Sequence, residues 1–257
     1  MLNYPKALFV LIWTLSVATV QAQKPNVKFG SVTVEELKKS KYEIDSTADA
    51  VVLFEKATTY FTYDDRIGFQ IETEIFIRKK ILKPSAFELG IVKIPLYKDT
   101  YEKSQTLKFL KGNTFFLENG GLKKTELLKK DIFEEKIADK FFDTKLTFPN
   151  VKEGSIIEYS YTISTPFQVR DKPKTWYFQG DRPTLWSEID ITIPSHFYYQ
   201  MITGGYLELA LNTQEKATVD MGNSQLNTSG TRYNFAVKNA PAFQNEAFIS
   251  SYEDYVS

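Results

Sequence analysis

Phe69-Gln70-Ile71-Glu72-Thr73-Glu74-Ile75-Phe76-Ile77-Arg78 is the segment whose pattern decides the fold class. Phe69, Ile71, Thr73, Ile75 and Ile77 fall on one side of an extended chain, and Gln70, Glu72, Glu74 and Arg78 on the other. Side chains of a strand alternate between two faces, so this period of two marks a half-buried strand. Phe76 is the only apolar residue on the polar side. Upstream, Ala50 to Phe54 is a short apolar run, Thr58 to Tyr63 is β-branched and aromatic, and Asp64-Asp65-Arg66 supplies a turn. Downstream, Thr114 to Leu117 and Lys123 to Leu127 flank Asn119-Gly120-Gly121, the residue types that accept positive φ in a hairpin.

Further strands are expected at Ser155 to Ser164, Lys174 to Gln179, Leu185 to Ile193, Tyr198 to Ile202, Leu207 to Leu211, Ala217 to Met221 and Arg232 to Val237. Residues 122 to 142 carry apolar pairs about every five positions, which fits neither period; strand and loop are favoured there, with a short helix open. One helix is clear. Thr33-Val34-Glu35-Glu36 has the T-x-x-E pattern of a capping box and leads into a short polar segment ending near Ser40. Many strands and few helices predict a mainly β fold, an antiparallel β-sandwich of two packed sheets, one arrangement being two sub-sandwiches, with one short N-terminal helix.

The composition agrees. The chain has 257 residues, 42% hydrophobic and 25% charged, with 20 Phe, 15 Tyr and 3 Trp. Aromatic rings suit pleated surfaces. Lys+Arg and Asp+Glu are both 32, so no basic excess argues for a nucleic-acid partner. Zero Cys excludes a thiol nucleophile, a Cys-based zinc or iron–sulfur site and a lipobox anchor. The single His, His196, offers no His-rich metal centre, and neither G-x-S-x-G nor a phosphate-cradling glycine motif occurs. No catalytic, cofactor-binding or metal-ligating residue is assigned, no cofactor is expected, and an enzymatic role is not.

Residues 1 to 22 read as a signal peptide. Lys6 precedes Ala7 to Val20, a charge-free run of 14 residues, and Val20-Gln21-Ala22 places small side chains where a signal peptidase cuts. Fourteen apolar residues are short of the roughly 20 that cross a bilayer as a helix. No later run reaches that length, so no membrane span is expected after cleavage. Export to the periplasm or cell surface follows, with residues 23 to 242 as the β-sandwich and 243 to 257 as a tail or linker toward a following domain.

Several patches form a recognisable pattern: Phe29-Gly30-Ser31-Val32, Ala48-Asp49-Ala50-Val51-Val52-Leu53-Phe54, Phe148-Pro149-Asn150-Val151-Lys152-Glu153-Gly154 continuing through Tyr161, Trp176-Tyr177-Phe178-Gln179 with Pro183, and Ala240 to Glu246 with Tyr252-Glu253-Asp254-Tyr255. Together they resemble the domain of unknown function that precedes a transglutaminase-like domain in exported proteins of Gram-negative bacteria. The resemblance covers roughly residues 29 to 257. It implies a β-sandwich with no established activity and no functional residues to carry over. The sequence stops where the transglutaminase-like domain begins in that family, and without Cys it cannot supply that domain's chemistry.

Residue chemistry adds weak candidates. Tyr159, Tyr161, Trp176, Tyr177, Trp186, Tyr198 and Tyr199 could form a platform for peptide or glycan, against a competing role in core packing. Glu72 and Glu74 share a strand face at a spacing that could suit paired carboxylates, although alternating acids usually form a solvated face. Lys79-Lys80, Lys123-Lys124 and Lys129-Lys130 read as solvated edge protection. The leading expectation is a non-enzymatic exported module that scaffolds, or binds substrate for, a transglutaminase- or peptidase-like domain, C-terminal or separate. An independent carbohydrate- or peptide-binding module comes second, a carboxylate-dependent hydrolase third. For the leader, mass spectrometry of protein from the native host is expected to show Gln23 at the N-terminus; intact Met1 would refute cleavage.

Overall fold

The computed structural model describes residues 24 to 243. Residues 1 to 22, read above as a signal peptide, and the tail beyond Phe243 lie outside the described residues. In chain order the elements are α1 (Val34–Lys38), β1 (Ala50–Asp64), β2 (Gly68–Ile81), β3 (Ile91–Tyr97), β4 (Thr106–Glu118), β5 (Gly121–Glu126), β6 (Ile132–Ala138), β7 (Phe141–Thr147), β8 (Ile156–Pro166), β9 (Thr184–Pro194), β10 (Leu209–Val219) and β11 (Thr228–Ala240). Short 3-10 turns join several of them. They build an eight-stranded sheet in the order β10-β11-β9-β1-β2-β8-β4-β5 and a three-stranded sheet in the order β3-β7-β6. The fold is mainly β, two packed sheets with one short α-helix, as the alternating pattern predicts.

Local chemistry explains the elements. Thr33 accepts from the Glu36 backbone and Glu36 reaches back to the Thr33 N–H at 2.8 Å, a complete capping box. Asn119 and Gly120 take φ of 50° and 76° between β4 and β5, the conformation the hairpin needs. The ambiguous stretch becomes β5, a 3-10 turn at Lys129–Asp131, and β6 and β7.

Four expectations are corrected. Strand β1 pairs in parallel with β9, so the large sheet is not purely antiparallel. That sheet is continuous across all eight strands, not divided into two sub-sandwiches. Residues 174 to 179 and 198 to 202 are loops, because both segments pass over a sheet face and do not join an edge. Lys79 and Lys80 are not edge protection, since β2 lies between β1 and β8. Lys80 is buried and donates to the carbonyls of Leu37 and Gly154 at 2.6 and 2.7 Å, and burial pushes its ammonium down to about 8.

The large sheet has two unlike faces. Its apolar face divides in two. Over β2, β8 and β4, the small sheet packs Ile94, Leu96 and Leu146 against Ile81, Ile157 and Tyr159. The packing is close enough that a Cβ added at Gly112 of β4 would stand 2.8 Å from the Phe148 ring, so only glycine fits there. Over β1, β9 and β11 no second sheet lies among the described residues. Two loops lay Trp176, Phe178, Phe167, Phe197 and Met201 on Ala57, Phe61, Ile189, Ile191 and Phe235 instead.

The opposite face is polar yet largely closed. The extended segment before α1 straps across it: Lys24 meets Glu188 at 2.6 Å, and the Gly30 N–H donates to Glu158 at 2.7 Å. Arg78 binds Glu158 through Nε at 3.0 Å and Nη2 at 2.6 Å, and also donates to the Lys28 carbonyl. Asp190 takes Arg232 at 2.8 and 2.5 Å, while Glu72 takes Lys108 and Ser164 at 3.0 and 2.7 Å. Of the polar residues in the period-two pattern, Glu72 and Arg78 are buried in ion pairs, Gln70 is buried and accepts from Ser164, and Glu74 remains solvated.

A buried carboxylate stripped of its cation typically costs about 3–5 kcal/mol, against at most about 1 for an exposed pair. Urea denaturation of Arg78→Ala is expected to show a loss in the upper range. A loss below about 1 kcal/mol would show that the strapped face does not depend on this pair.

Candidate functional site

The loop-covered half of the apolar face is where the molecule leaves space. Residues 167 to 180 and 197 to 209 arch over β9, β11 and β10 and enclose an open cavity of about 500 Å³. Its floor is hydrocarbon: Ile189, Ile191 and Ile193 point up from β9, and Phe235 and Val237 from β11. Trp176 and Phe178 form one wall, Met201 and Leu207 another. The period of two explains the floor, because alternate residues of β9 and β11 turn their apolar side chains to the same face.

A second, smaller cavity of about 250 Å³ adjoins it, lined by Glu55, Lys79, Tyr177, Gln179, Asp181 and Arg182 among others. The two share one wall. Alternation along Trp176-Tyr177-Phe178-Gln179 sends Trp176 and Phe178 into the large cavity and Tyr177 and Gln179 into the small one. The Trp176 indole N–H donates to Ser187 Oγ at 3.1 Å, and Ser187 donates to Glu55 Oε1 at 2.6 Å. A hydrogen-bonded line thus runs from the hydrocarbon cavity to a carboxyl group.

That carboxyl is unusual. Burial pushes Glu55 up to about 7, against the opposing pull of the Ser187 hydroxyl and the Lys79 ammonium. Burial likewise lowers Lys79, while Glu55 and Asp181 raise it and Arg182 lowers it further. Tyr159, buried beside Glu55, is pushed up by burial and by that charge. Arg182 is anchored by Asp49 at 2.8 Å and by Glu88 and Asp181 at 3.2 Å each. Chemically the small cavity offers a carboxyl that holds its proton up to about 7 beside a desolvated ammonium.

The candidate aromatics do not form one platform. Trp176 and Tyr199 line the large cavity, and Tyr177 lines the small one. Tyr159 and Tyr161 stack on each other along β8 at 6.3 Å, with Tyr159 in the core under the small sheet. Trp186 is buried on the polar face, packed on Phe54 and donating to Glu188 at 3.0 Å. Tyr198 is almost fully exposed. Glu72 and Glu74 part company, one buried in an ion pair and the other solvated. His196 is exposed in the turn after β9. Among the described residues, no group of His, Cys, Asp and Glu could hold a metal ion, and no helix is long and apolar enough to cross a membrane.

Sequence reasoning missed Glu55, Lys79 and Ser187, although parity could have found them. Two residues beyond Ile77 the inward period reaches Lys79. Two before Ala57 it reaches Glu55, and two before Ile189 it reaches Ser187.

No known protein family matches the sequence, and no curated protein matches it. Solved structures do match. A crystal structure described as a "putative protease" from Parabacteroides distasonis superposes with a TM-score of 0.55 at 17% identity, covering 81% of this chain and 39% of that one. The likeness shows a shared fold, and this chain spans about two fifths of that protein's length.

The raised carboxyl gives a signed prediction. Folded Glu55 holds its proton more tightly than the unfolded value of 4.5, so its contribution to stability is greatest below that value and is lost as pH rises through about 7. Glu55→Gln is expected to match the wild type near pH 4 and to exceed it by on the order of 2 kcal/mol above pH 8. Denaturation midpoints across that range check it; a constant offset would remove the buried-carboxyl reading.

Proposed function

We propose that the chain is a non-enzymatic, exported β-sandwich module that scaffolds, or binds substrate for, a transglutaminase- or peptidase-like domain. The observation that carries the reading is the partial overlap with the Parabacteroides protein: the same fold occupies 39% of a chain described as a "putative protease", leaving most of its length for other parts. The chemistry of this sequence supports a division of labour. With no Cys and a single exposed His, it supplies neither the nucleophile nor the base of a thiol-dependent centre. Glu72, Glu158 and Asp190 on its polar face are occupied in ion pairs.

The test is kinetic. The purified chain is expected to turn over no peptide, glutamine-donor or glycoside substrate. Mixed with the transglutaminase- or peptidase-like domain encoded with it, it is expected to raise kcat/KM at least several-fold. Turnover by the chain alone, abolished in Glu55→Gln or Glu72→Gln, would overturn the proposal in favour of a carboxylate-dependent hydrolase. A second reading, an independent binding module, is favoured by one observation: the open cavity walled by Trp176 and Tyr199. Ligand binding without any effect on a catalytic partner would select it.

A further inference from the structure

The large cavity carries an inference beyond that reading, independent of whether the chain serves a catalytic neighbour. Three features of its wall restrict what can enter. First, its floor of Ile189, Ile191, Ile193, Phe235 and Val237 carries no side-chain donor or acceptor. Of the polar side chains in the wall, the Trp176 N–H is engaged with Ser187 and the Tyr199 hydroxyl with the Asp171 carbonyl, while Thr175, Gln200 and Thr203 are exposed on the covering loops. A sugar or a peptide backbone seated there would leave its own polar groups unpaired, which burial penalises heavily. The buried part of an occupant must be hydrocarbon.

Second, the charged residues in the lining are Arg170, Lys172 and Lys174, with no carboxylate among the lining residues. All three are exposed, so they meet the part of an occupant that remains in water. Third, the covering loop holds apolar side chains out in solvent: Tyr198 is 97% exposed, Ile202 84% and Tyr206 93%. Ile202 also lines the cavity, which places the apolar path at its mouth. The volume lies in the range of about 300–1,000 Å³ typical of small-molecule sites.

We propose that this cavity binds the acyl chain of an anionic single-chain amphiphile, with the hydrocarbon on the β9–β11 floor and the anionic head beside Arg170, Lys172 and Lys174. Chain and head are recognised separately. A hydrocarbon without charge gains only the floor, and a cationic head of equal length is repelled at the rim.

Bromine quenches a nearby indole, and Trp176 stands in the wall, so brominated dodecanoate reports occupancy directly. Titration of the chain with dodecanoate below its micelle concentration is expected to give one-to-one binding by calorimetry. The brominated form is expected to quench the tryptophan fluorescence, and Trp176→Phe to remove that quenching. Lys172→Glu combined with Lys174→Glu, both at exposed positions, is expected to weaken dodecanoate at least tenfold and to tighten dodecyltrimethylammonium. Three results would overturn the proposal: no saturable binding, equal affinity for the anionic and cationic amphiphiles unaffected by the charge reversal, or displacement of dodecanoate by an acidic aromatic peptide that binds more tightly. If Trp176→Phe does not fold, the charge-reversed pair decides alone.

Discussion

An eight-stranded sheet with one apolar face faces a three-stranded sheet that covers only part of it, and this mismatch governs the rest of the molecule. Strands lie about 4.8 Å apart, so eight span roughly 34 Å and three roughly 10 Å. Burial of the uncovered hydrocarbon is worth roughly 25 cal/mol per Å², too much to leave Ala57, Ile189 and Phe235 in water. Loops finish the task. A loop cannot interdigitate with a sheet as regularly as a second sheet can, because its backbone must also satisfy its own polar groups. The cavities beneath the loops are part of the space that remains.

The other face solves a different problem. A sheet face that is polar and solvated needs no cover, yet here a strap from Lys24 to Gly30 lies across it and closes over Glu158 and Glu188. Buried charges are costly unless every oxygen has a partner. Glu158 uses one oxygen on Arg78 and the other on the Gly30 N–H; Glu188 is shared by Lys24, Lys56, Trp186 and Asn234. The strap supplies partners from outside the sheet, which ties the N-terminal segment to the register of β2, β8 and β9. Specific orientation, more than net stabilisation, is what such networks contribute.

How much of this was legible follows from which signals are local. The capping box at Thr33, the Asn119-Gly120 turn and the alternation from Phe69 to Ile77 each depend on neighbours in sequence, and each forms as read. The parallel pairing of β1 with β9 joins residues such as Val52 and Thr184, and nothing within either strand announces it. The loops at 174 to 179 and 198 to 202 are rich in aromatic residues because they cover a hydrophobic face, which mimics the composition of strands. Lys79-Lys80 misled for a similar reason: lysine pairs are usually solvated, and only the identity of the flanking strands shows β2 to be internal. Of the site, Trp176, Tyr177 and Tyr199 were named without their arrangement, since proximity across β9 is a tertiary fact.

Unequal partners separate scaffold from site. Burial drives Glu188 upward, but Lys24, Trp186 and Lys56 outweigh it and hold the carboxyl below its usual range. Arg232 and Lys56 do the same for Asp190. On the opposite face desolvation is also the largest influence on Glu55, and its direct partner is the neutral hydroxyl of Ser187. A hydroxyl stabilises a carboxylate less than a fully formed ion pair does, so desolvation dominates and the proton is retained to near neutrality. The carboxyls of the strapped face are thereby committed to holding the sheet together. Glu55 alone among these keeps a protonation state that its surroundings can change, and it lines the small cavity, linked through Ser187 and Trp176 to the large one.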